Sequence, residues 1–366
     1  MSKAAELASL IGNINAGGGG VNRNVIINGA MNVAQRGTSQ TGISNSGYYV
    51  CDRWRIASSA TDGRATMTQD SSAPEGFANS TKLACTTADT SIASGELFNL
   101  SQLIEGQNLQ TFKKGTSSAL PMTISFYVKG NASATYAVQL LDKDNDRTFA
   151  KTFSVTTDWS RVSLTFAGDT TGAFTDDNGE SLRLNIWLHA GSTYSGGTQT
   201  TGWVAESGNL DNLAVGTTSF FDSTDRTFFI TGVQLEVGQN PTEFEHEPFD
   251  ETLRKCQRYY QRYITDATFD YGAIAIAIGS TARWYIPFPL DGPMRTDVTL
   301  TYSDVSHFRA TLQHSDNNTA TAFVISYNHH ERPMLGATAG TNSAGALRMF
   351  GFNGNASAYF ALDAEL

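Results

Sequence analysis

The sequence predicts an all-β protein built from antiparallel sandwiches, with two short helices. Three observations lead there. Apolar and polar residues alternate with a period of two, as in Phe229, Thr231, Val233, Leu235 and Val237 against Ile230, Gly232, Gln234 and Glu236. Strand-like runs recur about 8–15 residues apart with no long helices between them, the spacing of sandwich folds. Charged residues are only 16%, below the roughly 25% of ordinary soluble domains, while 34 glycines and many Ser, Thr and Asn supply polar turns. The 366 residues are enough for two or three domains.

Residues 2–14 read as an amphipathic helix. Leu7, Leu10, Ile11 and Ile14 fall at i, i+3, i+4 and i+7. So short a helix is marginal alone in water, so its stripe needs a partner. With the Gly17–Gly20 tether it forms segment 1–20, expected to anchor the chain to a particle. Residues 21–250 read as one β-domain, with strands expected at 24–28, 52–57, 64–69, 80–86, 121–129, 135–141, 148–155, 161–166, 182–189 and 227–237. LSQLIEGQNL (100–109) carries a short helical turn. Gly238-Gln239-Asn240-Pro241 ends the last strand, and Pro248 and Asp250 suit a helix start. The helix is expected over 251–264, with Leu253, Cys256 and Tyr260 on one face. Residues 265–366 form a C-terminal β-sandwich-like domain, with strands at 271–278, 282–288, 297–302, 307–313, 321–327, 346–352 and 357–363. In YGAIAIAIG, Ile274, Ile276 and Ile278 line one face and Ala273, Ala275 and Ala277 the other. A strand apolar on both sides is covered on both: alanine permits close approach of another subunit, and an internal sandwich strand is the equal alternative. Leu253, Cys256, Tyr260 and the three alanines are therefore the candidate oligomer interface.

The joint between the two β-domains has a distinctive wording. ITGVQLEVG, then P-x-x-FE-x-x-P, then L-x-x-CQRYY resembles bacteriophage tail-fibre and receptor-binding proteins. NVIINGAMNVAQRG (24–37), YVCDRWRI (49–56), LSQLIEGQNL, PMTISFYVKG (121–130), GDTTGAF (168–174), FPLDGPMRTDVTLTY (288–302) and YFALDAEL (359–366) extend the resemblance over nearly everything beyond residue 20. It implies a virion appendage protein with a jelly roll like carbohydrate-binding modules. It also implies a homotrimer, held to other phage tail or virion proteins through its N-terminus and mediating attachment to a host-surface glycan or protein receptor. A head, collar or baseplate appendage with a structural role is the alternative, and a glycan-degrading tailspike is a further one.

Composition and motifs exclude other classes. The net charge of −10 offers phosphates no counterion-release energy and disfavours nucleic acid and anionic membranes. No apolar run approaches the ~18 residues of a span, and no secretory signal is visible, as expected of a protein assembled in a host cytoplasm. Cys51, Cys85 and Cys256 make no disulfide framework and read as small core residues. The six histidines show no zinc spacing, and no GxSxG, P-loop or dinucleotide fingerprint occurs. No enzyme activity is expected and no cofactor is required. Asp142, Asp144 and Asp146 open like a calcium loop, but Arg147 and Phe153 stand where glycine and glutamate are needed. The triplet reads first as a polar turn and second as a structural calcium site. Asp52-Arg53-Trp54 reads as a structural pair beside a core Trp.

Recognition groups collect near the C-terminus. Tyr302, His314, Asn317, Asn318, Tyr327, Asn328, His329 and His330 lie in or beside the loops SDNNT and YNHHER. Asn amides and His rings both donate and accept, as sugar hydroxyls require, and Tyr adds a flat apolar face. Trp203 and Tyr194 are candidates on the same ground.

Overall fold

A computed structural model of the chain describes residues 3–5, 22–264, 271–277, 283–287, 290–311, 319–339 and 347–366. The chain divides into two compact units, Met1–Thr252 and Leu253–Glu365. Both are antiparallel and almost wholly β. Residues 3–5 are helical; the anchor residues Leu7, Leu10, Ile11 and Ile14 lie outside the described residues. Among the described residues no helix is long and apolar enough to cross a membrane.

The first unit contains β1 (Ser39–Ile43), β2 (Gly47–Tyr48), β3 (Arg55–Ser59), β4 (Arg64–Asp70), β5 (Ser80–Thr87), β6 (Leu97–Glu105), β7 (Met122–Gly130), β8 (Ala134–Asp142), β9 (Arg147–Val155), β10 (Ser160–Phe166), β11 (Glu180–Ala190), β12 (Val204–Ala205) and β13 (Thr227–Val237). One sheet runs β1-β4-β5-β13-β7-β10, the other β12-β9-β8-β11-β6-β3-β2. Alternation feeds a shared core, with β13 switching its inward parity between Ile230 and Val233. Leu182, Leu184, Ile186 and Leu188 of β11 meet Ile124, Phe126, Ile230 and Leu235 of the opposite sheet there. Phe126 packs edge-on to Phe153 at 5.1 Å, and Tyr136 to Phe228 at 5.5 Å, tying the sheets together.

The motif ITGVQLEVG owes its glycine to geometry. The β13–β7 register slips between Thr231 and Gln234, and Gly232 sits there at φ 62°. A Cβ at this position would meet Phe77 Cζ at 2.7 Å. Glycine alone fits both constraints.

Two expectations fail in this unit. Residues 24–28 are a loop, not a strand. Asn24 accepts from Leu235 N and donates to Val233 O; Asn28, at φ 58°, bonds both Val33 N and Val33 O. Side-chain amides that satisfy backbone groups replace a ladder here. The short helical turn expected in 100–109 is present at Gly106–Asn108, and strand Leu97–Glu105, absent from the expected strands, leads into it. Asp52, Arg53 and Trp54 form a turn ahead of β3 instead of the start of the expected strand 52–57, with Arg53 at φ 71° and donating to Leu103 O. Asp52 accepts from Gln35 N and lies 3.8 Å from Arg36, while fully buried Trp54 donates to Asn28 O.

The unit boundary falls within helix α1 (Phe249–Gln257), which carries Asp250 and Glu251 in its first turn and Arg254 and Lys255 in its last, as the helix dipole favours. The helix stops earlier than expected: Tyr260–Ile264 is strand β14, paired with the C-terminal strand. Alternation in YQRYI, with β-favouring Tyr and Ile, outweighs the helical spacing.

The second unit has β15 (Tyr271–Ala277), β16 (Arg283–Pro287), β17 (Thr299–Tyr302), β18 (Phe308–Thr311), β19 (Ala322–Tyr327), β20 (Met334–Thr338), β21 (Leu347–Phe352) and β22 (Tyr359–Asp363) besides β14. They form sheets β14-β22-β17 and β18-β21-β15-β16-β20-β19. Phe360 of the first packs against Phe308 and Phe323 of the second, at 6.2 and 5.8 Å, closing a sandwich-like core.

All three cysteines are free and buried. Burial pushes the Cys51 thiol up to about 12 and the Cys85 thiol up to about 11.

Candidate functional site

The turn between β19 and β20 brings three sequence candidates together. The rings of Tyr327 and His329 are nearly parallel at 6.2 Å, and His329 stacks on His330 at 4.6 Å. Tyr327 is 59% exposed. His329 Nδ1 accepts from Glu331 N at 3.2 Å, which leaves the Nε2 edge for another partner. The turn backbone is fixed by its neighbour. Asn328 accepts from Val298 N at 2.8 Å and donates to Val298 O at 3.0 Å, and His330 O accepts from Met294 N. Asn328 is thus a strut and not a ligand contact, a correction to the sequence assignment: both ends of its amide are already committed. What results is a short rank of flat faces on a braced turn.

Tyr302 stands apart from this rank. It is half-exposed on β17, with its ring against core Phe323 at 5.5 Å. His314, Asn317 and Asn318 lie outside the described residues. Trp203 donates to Ala167 O and packs edge-on to Phe149, and Tyr194 packs on Trp187, so both serve local packing.

The Asp142–Asp146 segment is the polar turn between β8 and β9. Asp142 accepts from Asp144 N and Asn145 N, and its other oxygen lies 2.5 Å from Lys114 Nζ. That ammonium also reaches Asp169 at 3.2 Å and the carbonyls of Thr171 and Gly172 at 2.8 Å each. Asp144 instead accepts from Thr175 N. The three carboxylates therefore do not converge, and Lys114 supplies the positive charge a calcium ion would have brought. Asp169 also holds a two-point pair with Arg147. Burial raises the Asp169 carboxyl, but the bonds from Arg147, Thr171 N and Lys114 outweigh it and hold it below its ordinary value.

The alanine face of β15, offered as a subunit interface, is internal, and the isoleucine face, expected to be covered, is open. Ala275 and Ala277 point into the core of their own unit, in one cluster with Trp284, Phe308 and Phe350. Bulky rings on that side leave room for methyl groups only. Ala273 precedes them on the same strand. Cys256 and Tyr260 are buried and Leu253 half-buried. The open face is the isoleucine one. Ile274 pairs with Met349 and Ile276 with Leu347, and Ile274 and Leu347 are 61% and 56% exposed. The row continues through Tyr285 and Gly336 to exposed Val324. Leu347, Met349 and Val324 were not singled out in the sequence, although the alternation in LRMFGF separates Leu347 and Met349 from Phe350 and Phe352.

No family model matches the chain, and no curated protein matches it. Solved structures do. A CBM4 structure matches at 15% identity and a TM-score of 0.29, over 57% of this chain and 97% of that one. TmCBM61, solved with β-1,4-galactotriose, matches at 9% identity and 0.31, over 60% and 100%. The enzymatically active domain of tailspike protein 4 from bacteriophage CBA120 matches at 13% identity and 0.31, over 59% of this chain and 21% of that chain. At this identity and TM-score the similarities carry nothing about activity.

Proposed function

We propose that the chain is a non-catalytic virion attachment protein of the tail-fibre class that binds host-surface glycan through its C-terminal unit. The observation that carries this is the Tyr327–His329–His330 rank on a turn braced by Asn328. A flat exposed ring beside imidazole edges suits the apolar face and the hydroxyls of a pyranose. The motif series shared with tail-fibre proteins supplies the setting.

The same reading makes the protein a homotrimer. Its support is the apolar face of Ile274, Ile276, Leu347, Met349 and Val324, since contiguous exposed apolar surface marks interaction sites. Three copies would present three weak sites, and simultaneous engagement raises avidity by roughly 10²–10⁴. Purified full-length protein should label host cells and compete with infection, and Tyr327→Ala with His329→Ala should abolish both. Unchanged competition by that double variant would remove the rank from recognition.

A further inference from the structure

Asp89, Glu96 and His189 come together at one end of the first sandwich. Asp89 lies in the β5–β6 loop, Glu96 just before β6, and His189 near the end of β11. They are 7%, 3% and 0% exposed, and one ligand atom from each lies within 4.8 Å of the others. Glu96 Oε2 is 2.9 Å from His189 Nε2, and the Glu96 carboxyl also touches that of Asp89. No linear spacing announces the cluster, since Glu96 and His189 are 93 residues apart.

What sets the cluster apart is that two buried carboxylates touch. The buried carboxylates of Asp142 and Asp169 have Lys114 and Arg147, and Asp52 has Arg36. Among the described residues neither Asp89 nor Glu96 is paired with a lysine or arginine. Nearby Arg64 is turned to the carbonyls of Thr61 and Gly63. Two buried carboxylates in contact need a proton or a cation between them. The outer groups are already fixed. Asp89 accepts from Thr61 Oγ1 and Asp62 N, both at 2.8 Å; Glu96 Oε1 accepts from Ala93 N at 2.6 Å; His189 Nδ1 is 2.7 Å from Ser219 Oγ. Such partners on the far side of each ligand are what orient ligands toward a metal.

We propose that Asp89, Glu96 and His189 form a structural site for a divalent transition ion of the Zn²⁺ type. One imidazole nitrogen and two carboxylate oxygens match that ion class, whereas Ca²⁺ takes six to eight oxygens. Ligands about 2.0–2.1 Å from a tetrahedral ion stand roughly 3.3 Å apart, so the Glu96–His189 contact has to open by only about 0.4 Å. Three protein ligands leave the fourth tetrahedral position to a water, and burial makes the role structural. The ion would join the β5–β6 loop to β11 and, through Ser219, to the segment leading into β13.

The test is calorimetry with ZnCl₂, and separately MnCl₂ and CaCl₂, on full-length protein stripped by a chelator. One equivalent of Zn²⁺ should bind saturably and should raise Tm. Ser219→Ala, which keeps all three ligands, should weaken binding about 10- to 100-fold. His329→Ala with His330→Ala should leave it intact. Absence of saturable Zn²⁺ binding, loss with the His329/His330 variant instead of Ser219→Ala, or binding of Ca²⁺ alone would each overturn the proposal.

Discussion

Replacing Lys114 by methionine isolates the effect of one buried charge. The thioether keeps the length of the stem, so the change falls on the ammonium. That group has four oxygens around it: Asp142, Asp169 and the carbonyls of Thr171 and Gly172. Asp169 retains Arg147, but Asp142 is left with the Asp144 and Asn145 donors only. Removing one partner of a buried ion pair costs about 3–5 kcal/mol, a large share of a typical total of about 5–15 kcal/mol. With a urea slope of about 3 kcal/mol/M, the midpoint should fall by about 1–2 M. Tryptophan fluorescence suits the measurement, because Trp54, Trp159, Trp187 and Trp203 lie in this unit and only Trp284 in the other. Adding Asp142→Asn should restore part of the loss, since the stranded charge goes with it. The reasoning fails if Lys114→Met barely moves the midpoint, or if the double variant is weaker than the single.

Ile276→Lys should leave the chain folded, because its side chain points outward, and should convert a trimer to monomers in sedimentation; an unchanged mass would clear this face of any role. Gly232→Ala should cost about 1–2 kcal/mol for the left-handed backbone, with roughly 1–3 more for crowding Phe77, read in the same urea titration; a neutral effect would contradict the bulge. Asp169 has a folded pKa below its unfolded value, so its contribution is present above about pH 4 and lost as pH falls through the folded value. Stability measured from pH 7 to pH 3 should therefore drop at the acid end, and Asp169→Asn should flatten that drop.

The fold was legible wherever periodicity and burial coincide. Glu180–Ala190 shows its alternation openly, because Leu182, Leu184, Ile186 and Leu188 share one parity in the core, whereas the bulge at Gly232 switches the core parity of Thr227–Val237 from Phe228 and Ile230 to Val233, Leu235 and Val237. Residues 24–28 misled because NVIIN has the composition of a strand, while its asparagines satisfy backbone groups as side chains. Tyr260–Ile264 misled because tyrosines three apart fit a helix as well as a strand. The faces of β15 could not be ranked from sequence, since Ala and Ile are both apolar; what decides is the rings of Trp284, Phe308 and Phe350 on the inner side. Of the recognition groups, composition picked out Tyr327, His329 and His330 correctly as neighbours. It could not separate Asn328, whose bonds to Val298 depend on a contact 30 residues away.

The buried thiols have a practical side. Cys51, Cys85 and Cys256 are all closed to solvent, and at neutral pH Cys51 and Cys85 are far from the thiolate form that reacts with electrophiles. A cysteine introduced at an exposed position such as Ile274 or Tyr327 would be the reactive one in an otherwise natural sequence. A fluorophore or spin label placed there needs no cysteine-free background, so its signal can be read from the chain as it stands.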